Sequence, residues 1–440
     1  MGLLANTVNP LKENSKMATS TIRRYKRLIT VVILILVLVI ATNILTYSPQ
    51  MNELVEEDGI LLLDLEPIEE EKITKWWERR KNMTNLSELG KVLFQYHEEP
   101  NATNSRNYKI LVWKYGPTIE NRHLKQFSGQ RIDPFEYCPV KNCNITYEDK
   151  DIETADIVIF HLHRTTGLQD IPKRTNLSQI WAFLTDESPY HTFLNSKNKL
   201  QDFNNLFNWS MTYRSDSHIP VPYGRTVLRK VANPISTLML NKRRDVLVAI
   251  MGSNCQAKNH RWQYVNELKK YISVDVYGGC GPMKDACPGH FGADCPALDN
   301  YLFYLSFENT NCNEYITEKL WWNAYHKDSI PIVMGSNTSS NNLLFPLDSY
   351  INVDDFAHPR ALADHLLHLN RTEEFRKYYN WKKHFEILNE HGYFKSRSYH
   401  YCRICQALNY NTKETHIYTD LEDFWSEKRD CHPAWDQQVD

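Results

Sequence analysis

The chain has 440 residues, ordinary globular composition and a formal net charge of -2. That length allows two domains with extensions, and the balanced charge gives no case for a nucleic-acid partner. Tyrosine and tryptophan are plentiful, which suits the handling of sugars or planar rings, and the ten cysteines take their meaning from the compartment.

The first element in chain order is a membrane span. Arg23, Arg24, Lys26 and Arg27 precede Leu28–Leu45, an 18-residue stretch without a charge. At 1.5 Å per residue it makes roughly 27 Å of helix, about one thin bilayer. The basic cluster before it predicts a cytoplasmic N-terminus. The apolar run exceeds a usual signal-peptide core, and no small-x-small cleavage site follows clearly. These features predict a signal anchor, with residues 1–27 as cytoplasmic tail, 28–45 as transmembrane span and the remainder in a lumen. Sequons at Asn82, Asn85, Asn101, Asn144, Asn176, Asn208, Asn337 and Asn370 agree with that placement, and burial is expected to keep Asn208 unmodified. An even cysteine count also agrees, so Cys402 and Cys405 of "CRIC", with Cys431 in the same tail, read as disulfide staples rather than a redox or zinc motif.

Residues 46–106 are acidic and polar and read mostly as a lumenal stem, with "ILLLDL" as a short apolar exception. Apolar strands follow at "YKILVWKYG", "ADIVIFHLH", "QIWAFLTDESPYHTF" and "FNWSMTYRSDSHIPVPYG", at a spacing that predicts a first α/β domain over 107–225. "RTVLRKVANPISTLMLNKRR" reads as a connector. In the second set, "RDVLVAIMGSN" predicts a strand, and "AKNHRWQYVNELKKYI" predicts a helix with Trp262, Val265, Leu268 and Ile272 on one face. "SVDVYGGCG" predicts another strand. This domain runs over 226–385, and 386–440 is a cysteine-containing C-terminal tail. The fold class is therefore α/β, with two Rossmann-like domains facing a cleft, the shape many nucleotide-sugar transferases use.

The most informative stretch is "FENTNCNEYITEKLWWNAYHKDSIPIVMG", Phe307–Gly335. With the apolar run before it, it predicts strand, turn, helix and strand, the size of a βαβ unit. Anionic ligands settle between such a strand end and the helix N-terminus. Lys319 in the first helical turn brings a point charge to that place, and Glu318 beside it stays ionised to accept hydroxyl hydrogen bonds.

This stretch resembles the signature of the α1,3-fucosyltransferases, which transfer L-fucose from GDP-fucose with inversion. The resemblance extends to "WAFLTDESPYHT", "NWSMTYRSDSHIPVPYG" and "VLVAIMGSN…HRWQYVNEL", and so spans about Tyr108 to Cys405. The stretch "SNCQAKNHRWQYVNELKKYISVDVYGGCG" is most similar to the branch acting on the N-glycan core. The resemblance implies a GT-B type fold and a type II Golgi membrane enzyme with its catalytic domain in the lumen. It also implies GDP-L-fucose as donor and an N-glycan or glycoprotein acceptor. No metal is essential in the active site, with Mn2+ or Mg2+ as stimulants at most.

By position within the motif, the resemblance implies that Asn309 and Tyr315 contact fucose and nucleotide. Glu318 bonds a donor hydroxyl, Lys319 grips the diphosphate, and Arg261 reaches that diphosphate as it departs. A guanidinium can clamp two phosphate oxygens. Glu187 of "TDESPYHT" matches the family's general base. Asp186 is its rival, and strand geometry points the two to opposite faces. His161 and His163 sit at a predicted strand end near the cleft, as structural groups or as shapers of acceptor binding. Asp354 and Asp355 are not expected to hold a metal. The expected reaction gives α1,3-linked fucose on GlcNAc of N-glycans, at the innermost residue. The rivals are an antennary (Lewis-type) acceptor, protein O-fucosylation and, outside enzymes, a membrane-anchored glycan-binding protein. Retention of Glu187, Arg261, Glu318 and Lys319 together argues against the last.

Overall fold

In the computed structural model, description covers 55–57, 60–63 and most of 68–436, leaving out 97–105, 126–132, 196, 232–234, 237–240, 289–292, 336–340 and 413–415. The candidate span Leu28–Leu45, the sequons Asn101 and Asn337 and much of the expected stem lie outside the described residues. Among the described residues no helix is long and apolar enough to cross a membrane. Both α/β domains belong to one compact unit, Glu57–Asp440.

The first domain is a six-stranded sheet built from β1 (Tyr108–Val112), β2 (Cys143–Thr146), β3 (Ile157–His161), β4 (Ile180–Thr185), β5 (Trp209–Thr212) and β6 (Ile219–Pro220). Their order is β2-β1-β3-β4-β5-β6, parallel throughout. Every residue of β3 and β5 is buried, as expected of parallel strands covered on both faces, whose sequences read as continuous apolar runs. The second domain repeats the plan with β8 (Val248–Met251), β9 (Val274–Tyr277), β10 (Phe303–Ser306), β11 (Ile330–Val333) and β12 (Ile351–Asn352), in the order β9-β8-β10-β11-β12. This is a GT-B-like α/β arrangement. The joint between the domains is an antiparallel pair, β7 (Gly224–Leu228) with β13 (Phe385–Asn389). Gly224 is required there because a Cβ would sit 2.6 Å from the Trp321 ring.

Strand order fixes where ligands can go. In each sheet the chain steps one way from its first strand and the other way afterwards, so crevices open between β1 and β3 and between β8 and β10. Ligands of open parallel sheets settle at such switch points, outside the carboxyl ends of the strands.

Three sequence expectations change. Part of the expected stem is folded body: α1 (Glu70–Lys81) and α2 (Glu88–Phe94) pack inward. Trp76 is fully buried and donates to Phe345 O at 3.1 Å, and Leu89, Leu93 and Phe94 join the first domain's core. The polar residues that suggested a stem form the outer faces of these helices. The helix read over Ala257–Ile272 is shorter, α3 (Arg261–Leu268), with Arg261 and Tyr264 buried beside Val265 and Leu268. The segment 386–440, read as a tail, returns to both domains. Helix α6 (His400–Tyr410) joins the first core and is fastened by Cys138–Cys402 and Cys143–Cys405, while Cys431 pairs with Cys312 of the second domain. With Cys255–Cys280 and Cys287–Cys295, all ten cysteines are paired. "Tail" failed because sequence order carries no information about which core a terminal helix joins.

Candidate active site

The carboxyl end of β4 delivers two acids in opposite directions. Asp186 turns inward and is buried; its carboxylate meets Arg122 Nη1 at 3.1 Å and His400 Nε2 at 3.1 Å. Burial opposes its charge, but His391, Arg122 and His400 outweigh that and hold its pKa well below the usual carboxylate range. Glu187 turns toward the second domain, where the Tyr315 hydroxyl donates to its Oε2 at 3.0 Å. Ser188 and Pro189 then start a tight helical turn, so the strand ends where the acid is presented.

The second domain contributes from the loop after β10. Glu308, absent from the sequence reading, is buried at the centre of the cluster. Its Oε1 accepts from Thr317 N at 2.7 Å and from Thr317 Oγ1 at 2.9 Å, just before the helix that opens at Glu318. Its Oε2 lies 3.1 Å from Lys319 Nζ, which also donates to Glu318 Oε1 at 3.1 Å and Thr317 Oγ1 at 2.8 Å. Burial disfavours a charged Lys319, and the two carboxylates more than offset this, so its pKa is raised and it stays a cation. Burial pushes the Glu308 carboxyl up despite Lys319.

The helix itself departs from the expected form. One α-helical turn, α4 (Glu318–Leu320), widens into a π-helical stretch, Trp321–His326, a form that often marks functional positions. Its indoles pack inward, with Trp321 Nε1 donating to Ile316 O at 3.0 Å.

Arg261 opens α3 at the carboxyl end of β8 and is buried, not a surface arginine. Its Nη1 donates to Phe307 O at 2.7 Å and its Nη2 to Asn254 O at 3.0 Å. The guanidinium therefore ties together the two loops that flank the β8–β10 crevice. Glu308 and Glu318 both act on its charge, which places it in the same electrostatic neighbourhood as Lys319. Asn259, also missed, donates to Glu308 O and to Asn311 Oδ1, each at 2.9 Å. Asn309 is half-buried, and its carbonyl accepts from Lys258 N. Nearby, Gly278 has φ +79°, and a Cβ there would meet Gly252 O at 2.8 Å, so the loops after β8 and β9 touch backbone to backbone.

Of the weaker candidates, His161 lies buried at the end of β3, and burial holds its imidazole neutral at a pKa of about 3. His163 reaches His191 O at 2.8 Å, and His191 faces the charge of Glu187. Asp354 lines a separate surface hollow, and with Asp355 it forms the turn before α5 (Pro359–Thr372). Asn208 is buried and bonds Arg174, the Trp181 amide and His416 O.

The site thus joins a carboxylate from one domain to a tyrosine, a lysine-carboxylate cluster and an arginine from the other. That set can accept a proton and balance a departing anion.

Comparison with known proteins gives the lineage. A fucosyltransferase N-terminal family profile matches residues 105–224, and the C-terminal profile of glycosyltransferase family 10 (fucosyltransferase) matches 241–425. Rat alpha-(1,3)-fucosyltransferase 7 is 31% identical over 323 residues, covering 72% of this chain and 79% of its own. The chain belongs to glycosyltransferase family 10, the α1,3-fucosyltransferases.

Among other family 10 relatives, glycoprotein 3-alpha-L-fucosyltransferase A of Drosophila melanogaster is 37% identical over 296 residues. That alignment covers 66% of this chain and 55% of the fly protein. A crystal structure of an α1,3-fucosyltransferase with GDP-fucose aligns at 17% identity with a TM-score of 0.42, over 75% of this chain and 98% of its own. Glu308 could have been noticed in this family 10 sequence as an acid two residues past a buried strand. Asn259 carried no such signal.

Proposed function

We propose that this family 10 enzyme transfers L-fucose from GDP-fucose, with inversion, to the 3-hydroxyl of GlcNAc in N-glycans, at the innermost core residue. The observation that carries the reading is the contact of Glu187 with Tyr315 across the cleft, beside the Lys319 cluster. In this mechanism Glu187 takes the acceptor hydroxyl proton while fucose leaves GDP through an oxocarbenium-like state. Lys319 exchanges carboxylate contacts for diphosphate oxygens, Arg261 clamps the departing charge, Glu318 bonds a donor hydroxyl, and Asn309 and Tyr315 line the sugar and nucleotide. The two cations supply the charge that a metal provides in other transferases, so no essential metal is assigned to the diphosphate, and Mn2+ or Mg2+ would act only as stimulants. Leu28–Leu45, with its basic flank, supports a type II Golgi membrane protein whose body is lumenal.

The core acceptor is favoured by similarity to the fly glycoprotein 3-alpha-L-fucosyltransferase A. The second reading, an antennary acceptor, is favoured by the longer alignment with rat alpha-(1,3)-fucosyltransferase 7. A mass-spectrometric transfer assay with GDP-fucose, a core GlcNAc2 glycopeptide and a LacNAc glycan separates them. Fucose on the innermost GlcNAc supports the core reading, and fucose only on LacNAc moves the enzyme to the antennary branch. No transfer to either by folded, GDP-binding protein sinks both.

A further inference from the structure

Behind the end of β4 lies a buried cluster outside the cleft: His123, Asp186, His391 and His400, all at most 2% exposed. It gathers three parts of the chain: the turn of helix at Asn121–Lys125, the end of β4 and the C-terminal segment entering α6. Asp186 Oδ1 has His400 Nε2 at 3.1 Å and His391 Nε2 at 3.5 Å, and the His123, Asp186 and His400 ligand atoms lie within 4.8 Å of one another. The His123 and His400 rings stack at 3.8 Å.

Counting hydrogens shows that these groups do not satisfy one another. A neutral imidazole, the form that binds a metal ion, has one N–H and one bare nitrogen. The Ser398 hydroxyl touches both His123 Nδ1, at 2.8 Å, and His400 Nδ1, at 3.1 Å. It has a single hydrogen to give. If His400 receives it, His400 Nε2–H donates to Asp186, His123 Nδ1–H donates to Ser398, and His123 Nε2 is a bare lone pair with no donor. If His123 receives it, His400 Nε2 turns a lone pair on a carboxylate and His123 Nε2–H has no acceptor. In either case His123 Nε2 and both His391 nitrogens stay without a hydrogen-bond partner while buried. Buried polar atoms of this kind call for a missing partner.

We infer that His123, Asp186, His391 and His400 form a structural Zn2+ site. A zinc ion gives the stranded Nε2 atoms of His123 and His391 a partner, with His391 Nδ1 left buried without one. The Nδ1–H groups of His123 and His400 then both donate to Ser398 Oγ, and their Nε2 lone pairs face the ion. The outer hydroxyl then fixes the tautomers, as outer partners of zinc-bound histidines do. Four nitrogen and oxygen ligands suit zinc, and bonds of about 2.0–2.1 Å set neighbouring ligand atoms about 3.3 Å apart. The two measured Nε2–Asp186 distances bracket that value, and the His123 and His391 rings must both close in, since it is His123, Asp186 and His400 whose ligand atoms lie within 4.8 Å of one another. Arg122 occupies the other oxygen of Asp186, Oδ2, at 3.1 Å, and Glu187 also acts on Arg122. Two carboxylates against one guanidinium leave negative charge for the cation. A closed four-ligand ion activates no water; it ties the C-terminal segment to the strand end one residue before Glu187. This site is independent of the fucosyl-transfer reading.

The test is metal analysis of the full-length protein, expressed with zinc supplied and dialysed against EDTA. About one Zn2+ per chain is expected, falling at least fivefold in His123→Gln and His400→Gln variants that keep native circular dichroism. Zinc K-edge absorption of the unaltered protein gives a second readout if the variants do not fold, and imidazole-rich nitrogen and oxygen coordination is expected. Less than about a tenth of an equivalent in the unaltered protein would overturn the site. So would zinc that persists in folded variants, or a sulfur or oxygen-only shell.

Discussion

Tyr315 donates to Glu187 at 3.0 Å across the cleft, joining residues that lie 128 positions apart and on different domains. The neighbouring residue strengthens that junction: Glu314 accepts from Ser215 N at 2.6 Å and Ser215 Oγ at 2.8 Å, again from the second domain to the first. The candidate base is therefore oriented by the second domain, so its position depends on how the two domains meet.

If Glu187 removes the acceptor proton, Glu187→Gln should lower kcat by about 10²–10⁴-fold while GDP binding persists. Tyr315→Phe keeps the ring but loses the orienting hydroxyl and should cost roughly tenfold or more. Steady-state transfer kinetics with calorimetric GDP binding would check both. A Glu187→Gln enzyme keeping most of its turnover would exclude the assignment.

Lys319 balances buried Glu308, and in the proposed reaction it also grips the donor diphosphate. Removing it in Lys319→Met should therefore destabilise the fold, by about 3 kcal/mol, because it strands a buried carboxylate. Glu308→Gln in the same chain should restore much of that stability without restoring transfer. Urea unfolding of both variants and the pair tests this, and simple additivity would argue against the coupling.

Acid should weaken the fold within a defined window. His218 Nδ1 faces the Tyr418 hydroxyl at 3.0 Å and Ser210 Oγ at 3.2 Å, and burial lowers its pKa to about 4, with His416 adding to the effect. The unfolded histidine, with a pKa near 6.5, binds more protons between those values. Stability is thus full above about pH 6.5 and falls until about pH 4, by up to about 3 kcal/mol from this group. His218→Gln should flatten that part of a pH series of urea midpoints. An unchanged slope would count against it.

Cys143–Cys405 closes a separation of 262 residues and holds α6 against the first core. The pair Cys143→Ser and Cys405→Ser should lose about 2–5 kcal/mol. It should show this as a lower Tm, with kcat near normal in the cold for the protein that remains folded. Loss of kcat at full Tm would reverse the interpretation.

Much of the fold was legible because parallel strands buried on both faces must be apolar throughout, and those runs stand out at β3, β4, β10 and β11. The strand, turn, helix and strand around the motif after β10 were equally legible, since two apolar runs flank it at the spacing of a βαβ unit. The folded state of 70–94 was not, because amphipathic helices with polar outer faces share the composition of a stem. Glu308 hid for a related reason: a lone acid after a strand gains meaning only once Thr317 and Lys319 fold back onto it.

The sequence by itself determined the α/β class, the residues available for chemistry and the family they belong to, since these depend on composition, periodicity and local spacing. Only the tertiary structure decided that Glu187 and not Asp186 faces Tyr315, that Lys319 is shared with a buried acid, and that the last 50 or so residues fasten both domains. Those are long-range contacts, and which distant residues meet is settled by the packing of the two sheets, not by anything adjacent along the chain.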